Sequence, residues 1–128
     1  MKSPALNLEE RVSIYGERAI EFCHSLSLDA VLDPLVRQFV RSATSIGANY
    51  CETDEAQSKK DFRHKIALCR KETRETKFWL RMIAKACPAQ RTAARELWRE
   101  AMELHLIFCA IIRTTDKNLK DETKRPAP

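Results

Sequence analysis

Residues 58–86, SKKDFRHKIALCRKETRETKFWLRMIAKA, carry the clearest structural pattern in this chain. Apolar or small side chains recur along this stretch at alternating spacings of four and three residues: Phe62, Ile66, Cys69, Thr73, Thr76, Leu80 and Ile83. That period lays one continuous seam along a helix, as in the heptads of helical bundles. Ser58, followed by Asp61, forms a capping signal at its start, and Pro88 stops the helix at its end. The stretch therefore predicts a long helix over about 59–86 that packs lengthwise against others.

Three further helices are predicted around this one. Residues 8–26 and 34–52 each carry one apolar stripe at three- and four-residue spacing, which is typical of an amphipathic helix. Asp33 is a suitable N-cap for the second of them, and Pro34 fits its first turn. The fourth helix is predicted over about 88–116, because a proline is tolerated at the first helical position.

Composition places the chain in the all-α class. Of its 128 residues only two are glycine and 32% are charged, which suits helices better than a strand-rich fold with many tight turns. Short connections between long amphipathic helices predict an antiparallel up-down-up-down four-helix bundle in a single domain, residues 8–116. Residues 1–7 are expected to form an N-terminal extension and residues 117–128 a disordered tail. The acidic N-terminal stretch and the short apolar runs predict a soluble, cytoplasmic protein with no membrane segment.

Residues 41–52, RSATSIGANYCE, place a glycine inside the predicted second helix. Glycine in a helix interior costs about 0.5–1 kcal/mol relative to alanine, so an offsetting gain is expected. Ala43 and Gly47 lie four residues apart on the core face, where small side chains let a neighbouring helix approach. We therefore expect Gly47 to serve packing. Polar groups of the same stretch are expected to orient the bundle, pairing with Glu72 or Glu75 of the third helix: Arg41, Asn49 and Glu52.

Two features favour self-association. The fourth helix carries two apolar stripes, and a helix that is apolar on two sides buries more than a four-helix core requires. One flank of the third helix joins a large aromatic, Trp79, to two carboxylates, Glu72 and Glu75, which indicates a second packed surface. The two stripes of the fourth helix are Ala94, Leu97, Ala101, Leu104, Phe108 and Ile111, and Trp98, Met102, His105, Cys109 and Ile112.

Signals for catalysis or metal binding are weak. The five cysteines are odd in number, widely spaced and without a CxxC pair, which favours free thiols over a zinc or disulfide framework. A di-iron bundle needs inward-facing carboxylates and Glu-x-x-His motifs, but His64 lies nearly opposite its own core seam on the helical wheel. His105 lies in an apolar stripe and is interpreted as a packing residue. We therefore expect no catalytic residues, no metal and no cofactor.

The third helix carries most of the positive charge. Residues 58–86 contain ten basic and three acidic side chains, a net charge of +7, whereas the whole chain has +5. Seven of the basic residues fall between about 60° and 140° around the helix when Phe62 is set at zero, with no acidic residue among them. We call these seven the basic ridge: Lys59, Arg63, Arg70, Arg74, Lys77, Arg81 and Lys85. At about 39 Å long, the ridge matches the dimensions of a phosphate backbone segment.

Two interpretations of the basic ridge stay open on the sequence. It is either a nucleic-acid contact, or a face that is solvated or neutralised by carboxylates of another helix or subunit. Glu96, Glu100 and Glu103 of the fourth helix are suitable partners for the second interpretation. The ridge lacks the Asn, Gln and aromatic neighbours that read bases or stack on them, so contact without sequence readout is expected.

The two quoted stretches resemble the bacterial four-helix bundle proteins encoded in intervening sequences of 23S rRNA genes. The resemblance covers about residues 35–83 and rests on three combined motifs, R-S-A-T-S-I-G-A-N, S-K-K-D-F and K-E-x-x-E-T-x-x-W-L. After Glu52 the family more often has Gly or Ala, where this chain has Thr53. The matching positions are Arg41, Ser42, Ser45, Gly47, Asn49, Glu52, Asp61, Phe62, Lys65, Glu72, Glu75 and Trp79.

The resemblance implies an antiparallel bundle that assembles into a ring-like homo-oligomer, typically a pentamer. It also implies kinship with the basic accessory proteins of diversity-generating retroelements, and it supplies no catalytic residues. We therefore predict a non-enzymatic, oligomeric bundle whose basic ridge contacts RNA or DNA backbone. The alternative is a structural scaffold that binds itself and a protein partner, with the ridge neutralised in the assembly.

Overall fold

The computed structural model describes residues 7–124, and within that range the chain forms four α-helices and no strand. Each helix packs antiparallel against the next one in the chain, and the fourth closes the bundle through a less extensive contact with the first. The antiparallel, all-α four-helix bundle expected from the sequence is confirmed. The helices are α1 (Leu8–His24), α2 (Leu32–Cys51), α3 (Lys59–Ala86) and α4 (Arg91–Lys124), with 3-10 turns at Glu52–Glu55 and Pro88–Gln90.

The core is built from the predicted stripes. Along α3 every seam residue from Ile66 to Ile83 is buried, and Phe62 at the start of the seam is half-buried. Thr73 and Thr76 are tolerated in this seam because each hydroxyl donates to a backbone carbonyl oxygen within the preceding turn. Their polar atoms are thereby satisfied inside an otherwise apolar interior.

Both glycines lie at the contact between α1 and α2. A Cβ atom built on Gly47 would lie 3.5 Å from the carbonyl oxygen of Val12 in α1. A Cβ atom on Gly16 would lie 3.8 Å from the Cα of Thr44 in α2. Gly47 therefore packs on the backbone of α1 as predicted, but at an ordinary van der Waals distance that leaves room for a Cβ atom.

The α1–α2 connection differs from the prediction at both helix ends. The first helix ends at His24 rather than near residue 26, and α2 begins at Leu32, so Asp33 is not its N-cap. The carboxylate of Asp29 accepts hydrogen bonds from the backbone N–H groups of Val31 (3.0 Å) and Leu32 (2.7 Å). Asp29 therefore supplies the acceptor for the free N–H groups at the start of α2, in place of Asp33. Asp33 instead lies inside the helix, 3.2 Å from Arg37 one turn on.

The fourth helix is shifted towards the C-terminus relative to the prediction. Pro88 lies in a 3-10 turn and α4 itself begins at Arg91, so the predicted start at residue 88 is wrong by one turn. At the other end α4 continues to Lys124, where residues 117–128 were expected to be disordered. Its last turns are tied to the start of α3 by ion pairs, because Asp116 meets Arg63 and Glu122 meets Lys59. Residues 125–128, and residues 1–6 of the expected N-terminal extension, lie outside the described range.

Candidate functional site

The basic ridge lies along the junction of α3 with α4, and its N-terminal end is neutralised within the chain. Lys59 Nζ lies 2.5 Å from a carboxylate oxygen of Glu122, and the guanidinium of Arg63 hydrogen-bonds both carboxylate oxygens of Asp116. The same guanidinium lowers the pKa of Asp116. Two of the seven ridge charges are therefore already paired with α4.

The middle of the ridge packs on the second apolar stripe of α4. Lys77 Nζ lies 3.3 Å from the sulfur of Met102 and 5.7 Å from the centroid of the Trp98 ring. The hydroxyl of Thr73 lies 3.4 Å from Nδ1 of His105. Burial and the positive charges of the ridge lower the pKa of His105, which keeps the imidazole neutral. His105 is therefore a half-buried packing residue beside the ridge.

The C-terminal half of the ridge borders an open cleft where α3 ends and α4 begins. The α3–α4 cleft has a volume of about 660 Å³. Its apolar walls come from three small or aliphatic residues and one aromatic ring: Leu80, Ala84, Ala94 and Trp98. Five exposed cationic side chains surround these walls, two from the ridge and three from α4: Arg81, Lys85, Arg91, Arg95 and Arg99. No carboxylate lines the cleft in the part of the chain that the structure describes.

Two of the carboxylates proposed to neutralise the ridge bind α1 instead. The guanidinium of Arg11 donates from Nε (2.9 Å) and Nη2 (2.8 Å) to the two carboxylate oxygens of Glu100 and also meets Glu103. These hydrogen bonds raise the pKa of Arg11. The network, with the hydrogen bond from the buried Tyr15 hydroxyl to the Leu97 carbonyl oxygen (2.9 Å), joins α1 to α4. Glu100 and Glu103 are therefore wrong as partners of the ridge, because they lie on the α1 side of α4.

The motif residues of α2 and α3 meet at the interface between these two helices. Arg41 Nη2 lies 3.0 Å from a carboxylate oxygen of Glu75, and the buried Thr76 hydroxyl oxygen lies 2.9 Å from Ser42 Oγ. Arg41 is also 4.0 Å from Glu72, whose pKa is raised by burial and by the nearby charge of Glu75. The motif therefore fixes how α2 packs on α3, and the predicted pairing of Arg41 is confirmed.

The remaining motif residues are spread along the same two helices. Ser45 donates to the carbonyl oxygen of Arg41 at 2.6 Å, and Asn49 is half-buried further along α2. At the start of α3 the backbone N–H of Asp61 is capped by Ser58, and the Asp61 carboxylate accepts from Gln57 N at 3.0 Å. Glu52 is exposed in the 3-10 turn, and Lys65 lies 3.7 Å from the Asp61 carboxylate in the same turn of α3.

The two surfaces that suggested self-association both contact a neighbouring helix of the same chain. The Trp79 flank of α3 faces α2, where Glu72 and Glu75 meet Arg41, and the buried indole nitrogen of Trp79 has no hydrogen-bond partner among residues 7–124. The second stripe of α4 contacts α3 through Met102 and is buried at Ile112, whereas Trp98 at its start is 38% exposed. Apart from Trp98, these features therefore do not require a second subunit.

Among residues 7–124 no group of three or more His, Cys, Asp or Glu side chains could hold a metal ion. His64 is exposed, as the helical wheel indicated. One pair was missed by the sequence analysis: Cys109 Sγ lies 3.5 Å from Nε2 of His105, at the i,i+4 spacing that places residues one above the other on a helix. Burial raises the pKa of the Cys69 thiol to about 12, so that cysteine is an inert core residue. No helix in the described range is long and apolar enough to cross a bilayer.

Comparisons with known proteins agree with the fold. The sequence model of the family described as 23S rRNA-intervening sequence protein matches residues 18–110. A crystal structure from Bacteroides thetaiotaomicron VPI-5482, described as a protein of unknown function from the S23 ribosomal protein family, superposes with a TM-score of 0.72 at 27% sequence identity. That alignment covers 81% of this chain and 96% of the other. No curated protein matches the chain in sequence.

Proposed function

Because this chain belongs to the family of 23S rRNA-intervening sequence proteins, we propose that it is a cytoplasmic, non-enzymatic bundle that contacts the phosphate backbone of RNA or DNA. One observation carries the proposal. From Arg70 to Lys85 the cations of the basic ridge form no ion pair with any carboxylate among residues 7–124, unlike Lys59 and Arg63. The positive surface then continues across the α3–α4 cleft onto Arg91, Arg95 and Arg99.

The spacing of these charges costs the isolated protein stability. Arg70 and Arg74, Lys77 and Arg81, and Arg91 and Arg95 are like-charge pairs one helical turn apart, each of which destabilises a helix by roughly 0.2–0.5 kcal/mol. The first turns of α1, α2 and α3 each carry an acidic residue, whereas that of α4 carries none. A phosphate backbone would relieve this repulsion and release its own counterions, which makes such a surface favourable for nucleic acids.

The test is a comparison of two double variants with equal loss of charge. We expect Arg74→Gln with Arg81→Gln to weaken RNA binding and to reduce the slope of log affinity against log salt by about 1.4–1.8, since two phosphate contacts are lost. Lys59→Gln with Arg63→Gln removes the same two charges from the neutralised end, so we expect little change. The measurement is fluorescence anisotropy of a labelled structured RNA over a salt series, with circular dichroism to check folding.

Two results would contradict the proposal. The first is absence of RNA and DNA binding by the unmodified protein even at low salt. The second is an equal effect of the two double variants, because binding would then depend on total charge and not on this surface. The first result would favour the scaffold alternative, in which the ridge meets a protein.

We also propose that the bundle forms a homo-oligomer, and the family resemblance favours a pentameric ring. Several large apolar side chains stay exposed on the single chain, among them Phe78 of α3 (52%) and Leu106 of α4 (55%). Multi-angle light scattering at micromolar concentration measures the subunit number directly. A monomer across the whole concentration range would exclude this part of the proposal.

A further inference from the structure

The α3–α4 cleft combines an aromatic ring of α4 with a cationic rim to which both helices contribute. Trp98 is 38% exposed and lines the cleft beside Leu80 and Ala84. The cations of the rim come from the last turns of α3 and the first turns of α4, so they stand on opposite sides of the apolar walls. The volume of about 660 Å³ is in the range of pockets that hold small organic ligands.

We propose that this cleft holds one unpaired base of a single-stranded or bulged nucleic acid, stacked on the indole of Trp98, with the neighbouring phosphates on the surrounding cations. The inference rests on the nucleic-acid contact proposed above and gives it a preference for unpaired strands. It also changes the expectation of pure backbone contact, because α4 supplies the aromatic neighbour that the ridge lacks in its own sequence.

Charge and continuity favour a nucleic acid over the other occupants of an apolar cleft. A base offers a flat, apolar face for Trp98, and the phosphate on each side of it matches a rim whose charged residues, within the described part of the chain, are all cations. The rim runs directly into the unpaired part of the basic ridge through Arg81 and Lys85, so the strand has a continuous cationic path on leaving the cleft. An acidic peptide would use only the cationic rim, and a second copy of this chain would use only the apolar walls. A nucleic-acid strand uses both.

The two tryptophans of the chain make the proposal directly measurable. Trp79 lies on the opposite flank of α3, and its buried indole N–H has no partner among residues 7–124, so Trp79→Phe removes an unsatisfied donor and leaves Trp98 as the sole indole. In this single-tryptophan protein, we expect a short single-stranded RNA at low salt to quench the fluorescence. A blunt duplex of the same sequence should bind with little quenching, and poly-glutamate should leave the fluorescence unchanged.

A substitution measures how much the stacking contributes to affinity. We expect Trp98→Leu to weaken single-strand binding roughly 5- to 150-fold, which is the usual range for loss of one stacked base. Its duplex affinity and its salt slope should stay as in the unmodified protein, because no phosphate contact is lost. Trp98→Phe keeps an aromatic face and should recover part of the affinity, which separates stacking from a general loss of folding.

The outcomes distinguish this inference from the function on which it rests. Binding of single strand and duplex with equal affinity and without quenching overturns the inference but leaves the backbone contact standing. Quenching by poly-glutamate, or quenching that grows with protein concentration alone, assigns the cleft to acidic peptides or to a second copy and overturns it too. Absence of binding to either nucleic acid overturns the proposed function and the inference together.

Discussion

Gly47 offers the sharpest test of how α1 and α2 pack, because alanine and leucine should act in opposite directions there. A Cβ atom at residue 47 would lie 3.5 Å from the carbonyl oxygen of Val12 and 3.7 Å from its Cγ2, which is ordinary van der Waals contact. Alanine therefore fits without displacement and gains about 0.5–1 kcal/mol of helix propensity. For a chain of this length, that gain raises the melting temperature by about 2–5 °C.

Leucine at the same position has no such room. Its side chain extends beyond Cβ towards the backbone of Val12, and a helix backbone cannot move aside as a flexible side chain can. Overpacking of this kind costs about 1–3 kcal/mol, or a fall of about 3–15 °C in melting temperature. Thermal unfolding followed by circular dichroism measures both variants.

Gly16 is the matched control for this prediction. A Cβ atom there would lie 3.8 Å from both the Cα and the Cγ2 of Thr44, so Gly16→Ala should stabilise the protein in the same way. A melting temperature for Gly47→Leu equal to that of the unmodified protein would refute the reasoning. So would a Gly47→Ala variant that melts well below it, since the helices would then be closer than the contact distances indicate.

Two further predictions concern pH. Burial and the charge of Glu75 raise the pKa of Glu72, so its ionisation costs stability as the pH rises above the usual glutamate value of about 4.3. Glu72→Gln should therefore melt higher than the unmodified protein near neutral pH, with a difference that shrinks towards pH ~4; a difference that does not depend on pH would contradict this assignment. Burial, followed by the charges of Lys77, Arg74 and Arg70, lowers the pKa of His105, so the unfolded chain takes up a proton first and stability falls as the pH drops through about 6.5. His105→Gln should lose that part of the decline in urea unfolding between pH ~7 and ~5, and an unchanged profile would show that another group causes it.

Periodicity predicted most of the fold because the core is made by local pattern. The α3 seam holds even through Thr73 and Thr76, since their hydroxyls find acceptors within the same helix and do not depend on a distant partner. The same is true of the Ser58 cap, whose hydrogen bond to Asp61 N spans three residues. Where both partners of an interaction lie within one turn, sequence spacing is enough to place them.

Long-range contacts set the features that the sequence did not predict. The last turns of α4 are rich in charge and would be unstable alone, but Asp116 and Glu122 pair with residues more than 50 positions earlier. Similarly, the sequence allows Glu100 and Glu103 to pair either with the basic ridge or with Arg11. The orientation of α4 about its own axis decides for Arg11. Spacing along one helix cannot decide which neighbour a charged side chain faces.

Trp98 shows the same limit at the candidate site itself. In sequence it belongs to an apolar stripe that runs on to Ile112, and a stripe of that kind ordinarily indicates core. In the structure Ile112 is buried while Trp98 remains 38% exposed and lines the open cleft beside Leu80 and Ala84 of α3. The residue becomes a candidate ligand contact only through the way the two helices are placed against each other.

The unpaired positive charge of the basic ridge is concentrated towards the C-terminal end of α3, because only the cations at its N-terminal end form ion pairs. Seven cations over about 39 Å would have provided a uniform track, but Lys59 and Arg63 are occupied by α4. The unpaired stretch from Arg70 to Lys85 is only about 22 Å long. The three α4 arginines extend the positive surface across the cleft onto α4 and do not lengthen it along α3. With eight cations in total, the salt slope for a single strand can be no steeper than about −6. A polyanion should therefore contact the C-terminal part of α3, from Arg70 to Lys85, together with the cleft beside it, and not the N-terminal part of α3.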